Sequence, residues 1–251
     1  MSASRRARQR ADQALVERGL VESRSKAQAL IMAGKVFAGE RRVEKAGEAV
    51  AEDQGLEVRG QDHPWVSRGG LKLAAALGEF DISAEGLTCL DLGASTGGFT
   101  DVLLAGGAAK VYAADVGHGQ LAWRLRRDER VVVLERTNAR HLTRDQVPDP
   151  IDLLVCDASF IGLRTVLPAA MALTAAGARL IALIKPQFEV GKGRVGKGGV
   201  VRDPALHEEV CATIRDWLEA QPDWRVLGLT ESPITGPEGN KEFLIAAVRG
   251  C

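Results

Sequence analysis

From Leu71 onward, short apolar runs alternate with helix-length intervals, and that alternation leaves few folds open. Thr88 to Leu92, Lys110 to Asp115, Val131 to Glu135, Ile151 to Asp157 and Ala178 to Lys185 are the runs. Strands that are apolar on both faces must be covered on both. The pattern therefore predicts an α/β domain with a mostly parallel sheet and helices on either side. Two further strands, Arg225 to Thr230 and Glu242 to Val248, follow a helix from Pro204 to Glu219 and lie close enough in sequence to pair antiparallel.

The first sixty residues read differently. Ala14, Leu15 and Arg18 follow helical spacing with Gly19 as a stop, and Ser23 or Ser25 can cap a second helix in which Ala27, Leu30 and Ile31 share a face. Lys35 to Val43 reads as a hairpin turning at Ala38-Gly39-Glu40. Charge separates this unit from the rest. The 251-residue chain has no net charge, yet residues 1 to 46 hold 11 Lys or Arg against 5 Asp or Glu, a net of +6 that the remainder balances. Such asymmetry points to a nucleic-acid partner for the N-terminal unit. Arg24, Lys26, Lys35, Arg41 and Arg42 cluster about the second helix and the hairpin. Residues 61–70, with Pro64 and a pair of glycines, read as a linker to a domain over 71–251.

Several classes are set aside by what the chain lacks. Cys89, Cys156, Cys211 and Cys251 form no CxxC pair, and His63, His118, His141 and His207 show no ligand spacing, so no metal is expected. No run approaches the roughly 18 apolar residues of a membrane span, and no apolar signal core follows the Arg-rich start, which suits a cytoplasmic protein.

The chemistry-bearing stretch is Asp91-Leu-Gly-Ala-Ser-Thr-Gly-Gly98, after a strand and before a helix, where backbone amides and small side chains admit a cofactor closely. Its spacing is not GxGxxG, which disfavours a nicotinamide oxidoreductase. Asp115 ends the next strand, where a carboxylate can accept from ribose hydroxyls, and Asn138 follows the third, where it can hold an adenine. Lys72, Asp157, Lys185 and Glu242 each end a strand or open a helix on the same side of this loop. That set suits methyl transfer to a weakly acidic hydroxyl, which needs proton removal and aiming more than a metal. The Gly-rich basic segment from Phe188 to Asp203 reads as a mobile loop beside Lys185, either a lid or a plain connection.

Four stretches resemble one family closely: Trp65-Val-Ser-Arg-Gly-Gly-Leu-Lys-Leu73, Asp91-Leu-Gly-Ala-Ser-Thr-Gly-Gly-Phe-Thr-Asp101, Val155-Cys-Asp-Ala-Ser-Phe160 and Ile184-Lys-Pro-Gln-Phe-Glu-Val-Gly191. The family is TlyA, ribosomal RNA 2′-O-methyltransferases, some named haemolysins, with an S4 RNA-binding domain and an FtsJ-like catalytic domain. The likeness covers nearly the whole chain. It implies a Rossmann-like methyltransferase fold, a Lys72, Asp157, Lys185 and Glu242 catalytic tetrad, and a cytidine ribose in small- or large-subunit ribosomal RNA as substrate. It further implies S-adenosyl-L-methionine held by Asp91, Gly93, Ser95, Thr96, Gly97, Gly98, Phe99, Asp115, Val116, Gln120, Asn138, Ala139 and Asp157. RNA would meet Arg5, Arg10, Arg24, Ser25, Lys26, Lys35, Arg41, Arg42 and Arg68. The rival reading is a catalytically silent RNA-binding or ribosome assembly factor, against which the intact tetrad argues. A pore-forming toxin is disfavoured by the missing membrane segments.

Overall fold

The computed structural model describes residues 8–18, 20–21, 23–51, 54–58, 63–191, 193–236 and 239–250. The N-terminal unit comprises β1 (Arg8–Arg10), α1 (Ala11–Glu17), α2 (Arg24–Met32), β2 (Val36–Ala38), β3 (Arg41–Arg42), β4 (Ala49–Ala51) and β5 (Leu56–Val58). Ala14, Leu15, Ala27, Ile31, Val36, Val43 and Val50 close its small core. Ser23, not Ser25, caps α2: its hydroxyl accepts from the Lys26 amide at 3.2 Å, while Ser25 is exposed on the first turn. The hairpin turns at Gly39 as expected, pairing Ala38 with Arg41. The pairing of β1 with β4, which brackets both helices, carries no local signal in strands this short.

The larger unit follows the alternation: α3 (Gly69–Glu79), β6 (Thr88–Leu92), α4 (Gly98–Ala105), β7 (Lys110–Ala114), α5 (Trp123–Arg126), β8 (Val131–Leu134), β9 (Ile151–Cys156), α6 (Leu163–Met171), β10 (Thr174–Ile184), α7 (Pro186–Glu189), α8 (Pro204–Glu219), β11 (Trp224–Glu231) and β12 (Phe243–Arg249). Seven strands form one sheet in the order β11-β12-β10-β9-β6-β7-β8, parallel except for β12, which runs antiparallel to both its neighbours. Separate apolar clusters cover the two faces, one including Leu90, Leu154 and Leu180, the other Leu103, Leu153 and Ile181. The α/β expectation thus holds, and the last two strands pair antiparallel as their spacing suggested.

Strand order positions the site. The chain moves outward from β6 to β8, then returns to place β9 against the other side of β6. The crevice of such a sheet opens where the direction reverses, at the carboxyl ends of β6 and β9. Antiparallel β12 enters the sheet at that same edge, with Phe243 opposite Ile184. Residue 242 is thereby brought beside residue 185.

The segment expected as a linker is packed in its second half. Trp65 lies over Gly70, where an added Cβ would come 2.5 Å from the indole Cγ, and the Val66 amide donates to Asp101 Oδ2 at 2.8 Å. Helix α3 begins at Gly69, two residues before the expected boundary. The glycine-rich segment after Phe188 is fastened toward its end rather than free. Arg194 forms a two-pronged pair with Glu209 at 2.6 Å, and the buried Asn240 amide accepts from Val201 N at 3.1 Å and donates to Gly199 O at 3.1 Å.

Candidate active site

The tetrad assembles into one line of alternating charge. Lys72 Nζ donates to Glu242 Oε2 at 2.6 Å and lies 3.7 Å from Asp157 Oδ2, while Lys185 Nζ lies 2.6 Å from Asp157 Oδ1. Three of the four are nearly sealed: Lys72 is 7%, Lys185 6% and Glu242 0% exposed. Buried charges persist only when paired and hydrogen-bonded, and here each cation has an anion. Lys185 also donates to the Asp157 carbonyl at 3.0 Å and to Ser159 Oγ at 2.9 Å. Lys185 Nζ thus has two hydrogen-bond acceptors besides the ion-pair contact with Asp157 Oδ1, an oxygen that itself takes no hydrogen bond. Ser159 was not among the sequence candidates. Its only signal there is its place two residues after Asp157.

A cleft of about 500 Å³ opens over this line, within the roughly 300–1,000 Å³ typical of small-molecule sites. Gly93, Ser95, Thr96, Gly98 and Phe99 of the glycine loop line it with Lys72, Asp157 and Lys185. Phe99 also packs in the core and is 3% exposed, so it offers the cleft little surface. Gly93 shows why the loop is glycine-rich. Its φ is +80°, and a Cβ would come 2.8 Å from Ala158 Cα, the residue after Asp157. The loop from β6 and the turn from β9 can touch only without that atom. Gly93→Ala should therefore weaken cofactor binding at least tenfold and cost about 1–3 kcal/mol of stability, read by titration calorimetry and melting.

The other cofactor candidates divide. Asp115 lies after β7 and accepts from Ser95 N at 2.9 Å and Gly117 N at 2.6 Å, and Ser95 Oγ donates to Gln120 Oε1 at 3.3 Å. Asp115, Ser95 and Gln120 thus form one group joined to the glycine loop. Val116 beside them is 73% exposed, an apolar surface with no protein covering it. Asn138 is exposed, and its Oδ1 caps the short turn that follows by accepting from Arg140 N at 3.1 Å. Ala139 packs partly against the core. Asp115, Val116, Gln120, Asn138 and Ala139 stand outside the walls of the cleft itself, as does Gly97.

Asp91 faces the other way. It is fully buried beneath the loop, takes a 2.7 Å hydrogen bond from Thr100 Oγ1 and has no partner for Oδ1. Burial pushes its carboxyl up to about 7, against about 4 in the unfolded chain. The folded state then holds a proton that the unfolded chain releases, so this group's contribution falls as pH rises from about 4 to about 7 and stays low above that. The full effect is at most about 4 kcal/mol. Asp91→Asn, which keeps an acceptor for Thr100 but cannot ionise, should raise the melting temperature relative to the parent more at pH 8 than at pH 5. Equal differences at the two pH values would refute this.

Four of the eight expected RNA-facing cations are paired within their own unit. Arg10 and Arg24 both bind the sealed Asp12, at 3.0 and 2.9 Å; Arg41 pairs with Glu48, and Arg42 with Glu44 at 2.9 Å. Arg10 above all holds the Asp12 carboxyl well below the usual range. The four guanidinium groups remain about half exposed, so the acids aim them without covering them. Lys26 lines the cleft near the tetrad, and Arg68 donates to Thr235 O at 3.1 Å. Lys35 keeps contacts of its own. Arg5 lies outside the described residues. Sequence reasoning also missed Phe160, whose ring is 90% exposed beside Ser159 with a backbone φ of +65°.

Among the described residues no group of His, Cys, Asp or Glu could hold a metal ion, and no helix is long and apolar enough to cross a membrane. Comparison with known proteins matches residues 9–55 to the S4 domain and residues 65–249 to the FtsJ-like methyltransferase family. The 16S/23S rRNA (cytidine-2′-O)-methyltransferase TlyA of Mycobacterium tuberculosis is 52% identical over 240 residues, 95% of this chain and 89% of that protein. Hemolysin A of Brachyspira hyodysenteriae is 42% identical over 94% of this chain and 98% of its own length. A solved structure of a hemolysin-named protein from Streptococcus thermophilus superposes with a TM-score of 0.74 at 40% identity, covering 97% of this chain and 89% of that one. With matches this long over both units, the chain belongs to the TlyA family of FtsJ-like methyltransferases that carry an N-terminal S4 domain.

Proposed function

We infer that this protein transfers a methyl group from S-adenosylmethionine to the 2′-hydroxyl of a cytidine in ribosomal RNA. The observation that carries the reading is the Glu242, Lys72, Asp157 and Lys185 line beneath a cleft walled by the glycine loop. A ribose hydroxyl is a weak nucleophile, so a site of this kind must orient it and remove its proton. Lys185 aims the 2′-oxygen and accepts its proton. Asp157 and Ser159 fix Nζ, while Glu242 and Lys72 fix Asp157. The cofactor supplies a methyl group already activated by its sulfonium.

The residues present suit that cofactor. Gly93 leaves room for close approach, Asp115 presents a carboxylate at the end of the adjacent strand, and exposed Val116 offers an apolar surface for a ring. Residues 1–60 act as the RNA-binding module, presenting Arg10, Arg24, Arg41 and Arg42 to phosphates, with binding that weakens as salt rises. The target nucleotide in a helical region must leave its stack to reach the cleft. A ribosomal substrate puts the reaction in the cytoplasm.

The test is transfer of labelled methyl from S-adenosylmethionine to separated ribosomal subunits from a strain lacking this gene, with the modified nucleotide mapped. Label on a cytidine 2′-oxygen is expected. Absence of label on both subunits by a protein that still binds cofactor would leave an RNA-binding assembly factor instead.

A further inference from the structure

We propose that Glu189 is a positioning residue that holds the turn carrying Asp157 and Ser159 in its reactive shape, an inference that rests on the methyl-transfer reading above. Lys185, Phe188 and Glu189 occupy one short stretch, α7 and the residue before it. Each grips a different point of residues 157–163. Lys185 Nζ donates to the Asp157 carbonyl and to Ser159 Oγ. The Phe188 ring meets that of Phe160 at 5.2 Å between centroids. Glu189 Oε1 accepts from the Leu163 amide at 2.7 Å.

The last contact closes the turn. Leu163 opens α6, and Gly162 before it supplies no side-chain cap. A carboxylate from another element therefore satisfies one of the free amides of that helix end. Glycine at 162 makes the approach possible, since a Cβ there would come 3.0 Å from Glu189 Oε2. Burial raises the Glu189 carboxyl, opposed first by the Leu163 hydrogen bond and only then by Arg164.

The turn needs such support because it is strained. Phe160 has a φ of +65°, a conformation unfavourable for a bulky residue that persists only where its surroundings over-determine it. With its ring 90% exposed, Phe160 has little burial of its own to hold it. One end of the turn is fixed by Lys185, a member of the tetrad, and the other by Glu189. Loss of the second anchor lets the backbone relax toward negative φ, shifting Ser159 and the Asp157 carbonyl away from Lys185.

The test compares Glu189→Ala with Glu189→Gln, which retains an oxygen acceptor at the same reach. Three quantities are read: methyl transfer to ribosomal RNA, cofactor affinity, and the rate of chymotryptic cleavage after Phe160 followed by mass spectrometry. Glu189→Ala should lower kcat roughly tenfold, leave the cofactor Kd within about twofold and speed the cleavage several-fold, because small misplacements at a site cost turnover more than binding. Glu189→Gln should stay within about threefold of the parent in all three. Should Glu189→Ala melt too low to assay, Gly162→Ala, which pushes the carboxylate aside, should show the same changes to a lesser degree. Unchanged kcat or unchanged cleavage in Glu189→Ala overturns the proposal, as does a Glu189→Gln variant equally impaired. If the parent protein transfers no methyl group, the functional reading fails, and the cleavage rates still decide the role of Glu189.

Discussion

Lys185→Met should reduce methyl transfer by about 10²–10⁴-fold while cofactor still binds, the range that a positioned proton acceptor contributes. The case rests on what Nζ touches. It is 6% exposed, and all its partners belong to the turn after β9: Asp157 Oδ1 at 2.6 Å, the Asp157 carbonyl at 3.0 Å and Ser159 Oγ at 2.9 Å. No atom of the glycine loop is among them. Methionine fills similar space and leaves Asp157 with Lys72, 3.7 Å from Oδ2. A loss in kcat with an unchanged cofactor Kd is thus the signature of chemistry rather than of binding. Radiolabel transfer with calorimetric titration of cofactor checks it, and transfer within a few-fold of the parent would remove Lys185 from the reaction.

Lys72→Met should cost about 3–5 kcal/mol of stability in urea denaturation, in addition to abolishing turnover. Its 2.6 Å partner Glu242 is 0% exposed, and one of that residue's oxygens already has no hydrogen bond. Without the ammonium, a carboxylate is left charged in the interior with nothing to compensate it. The double variant Lys72→Met with Glu242→Leu removes both charges, and replacing a buried pair by apolar groups is often neutral. Recovery of most of the stability without activity is expected. If the double variant is as unstable as the single one, the loss comes from packing around α3 instead of from the ion pair.

How much of this could be read from residues alone depends on the range of the interaction. Strands β6, β7, β8 and β9 stand within a residue or two of their expected bounds, because burial on both faces leaves a continuous apolar run. β10 begins four residues earlier than expected, at Thr174, since its first part breaks register near Gly177, whose φ of +75° interrupts the ladder. Asp91 and Asp115 look alike as acids at strand ends, yet one is sealed under Thr100 and the other meets the glycine-loop amide of Ser95. Nothing local distinguishes them. Arg10 and Arg42 have their acids, Asp12 and Glu44, two residues on in the sequence, whereas only the folded chain brings Asp12 against Arg24 and Glu48 against Arg41.

The chain's order of residues by itself determined the α/β class, the basic N-terminal module, the cofactor loop and the identity of the four polar residues. The first two are written in local periodicity and composition and the glycine loop in an unbroken motif, while the four polar residues were marked by their places at strand ends and helix starts together with the family resemblance. Tertiary structure alone decided that Lys72 and Glu242, 170 residues apart, share a 2.6 Å bond, that Lys185 meets the Asp157 carbonyl, Ser159 Oγ and the Asp157 carboxylate, and that Glu189 reaches the Leu163 amide. Those contacts depend on β12 entering antiparallel at the carboxyl edge of β10 and on the return of β9 to β6. Strand order is set by the packing of the whole sheet, and no window of sequence is long enough to contain it.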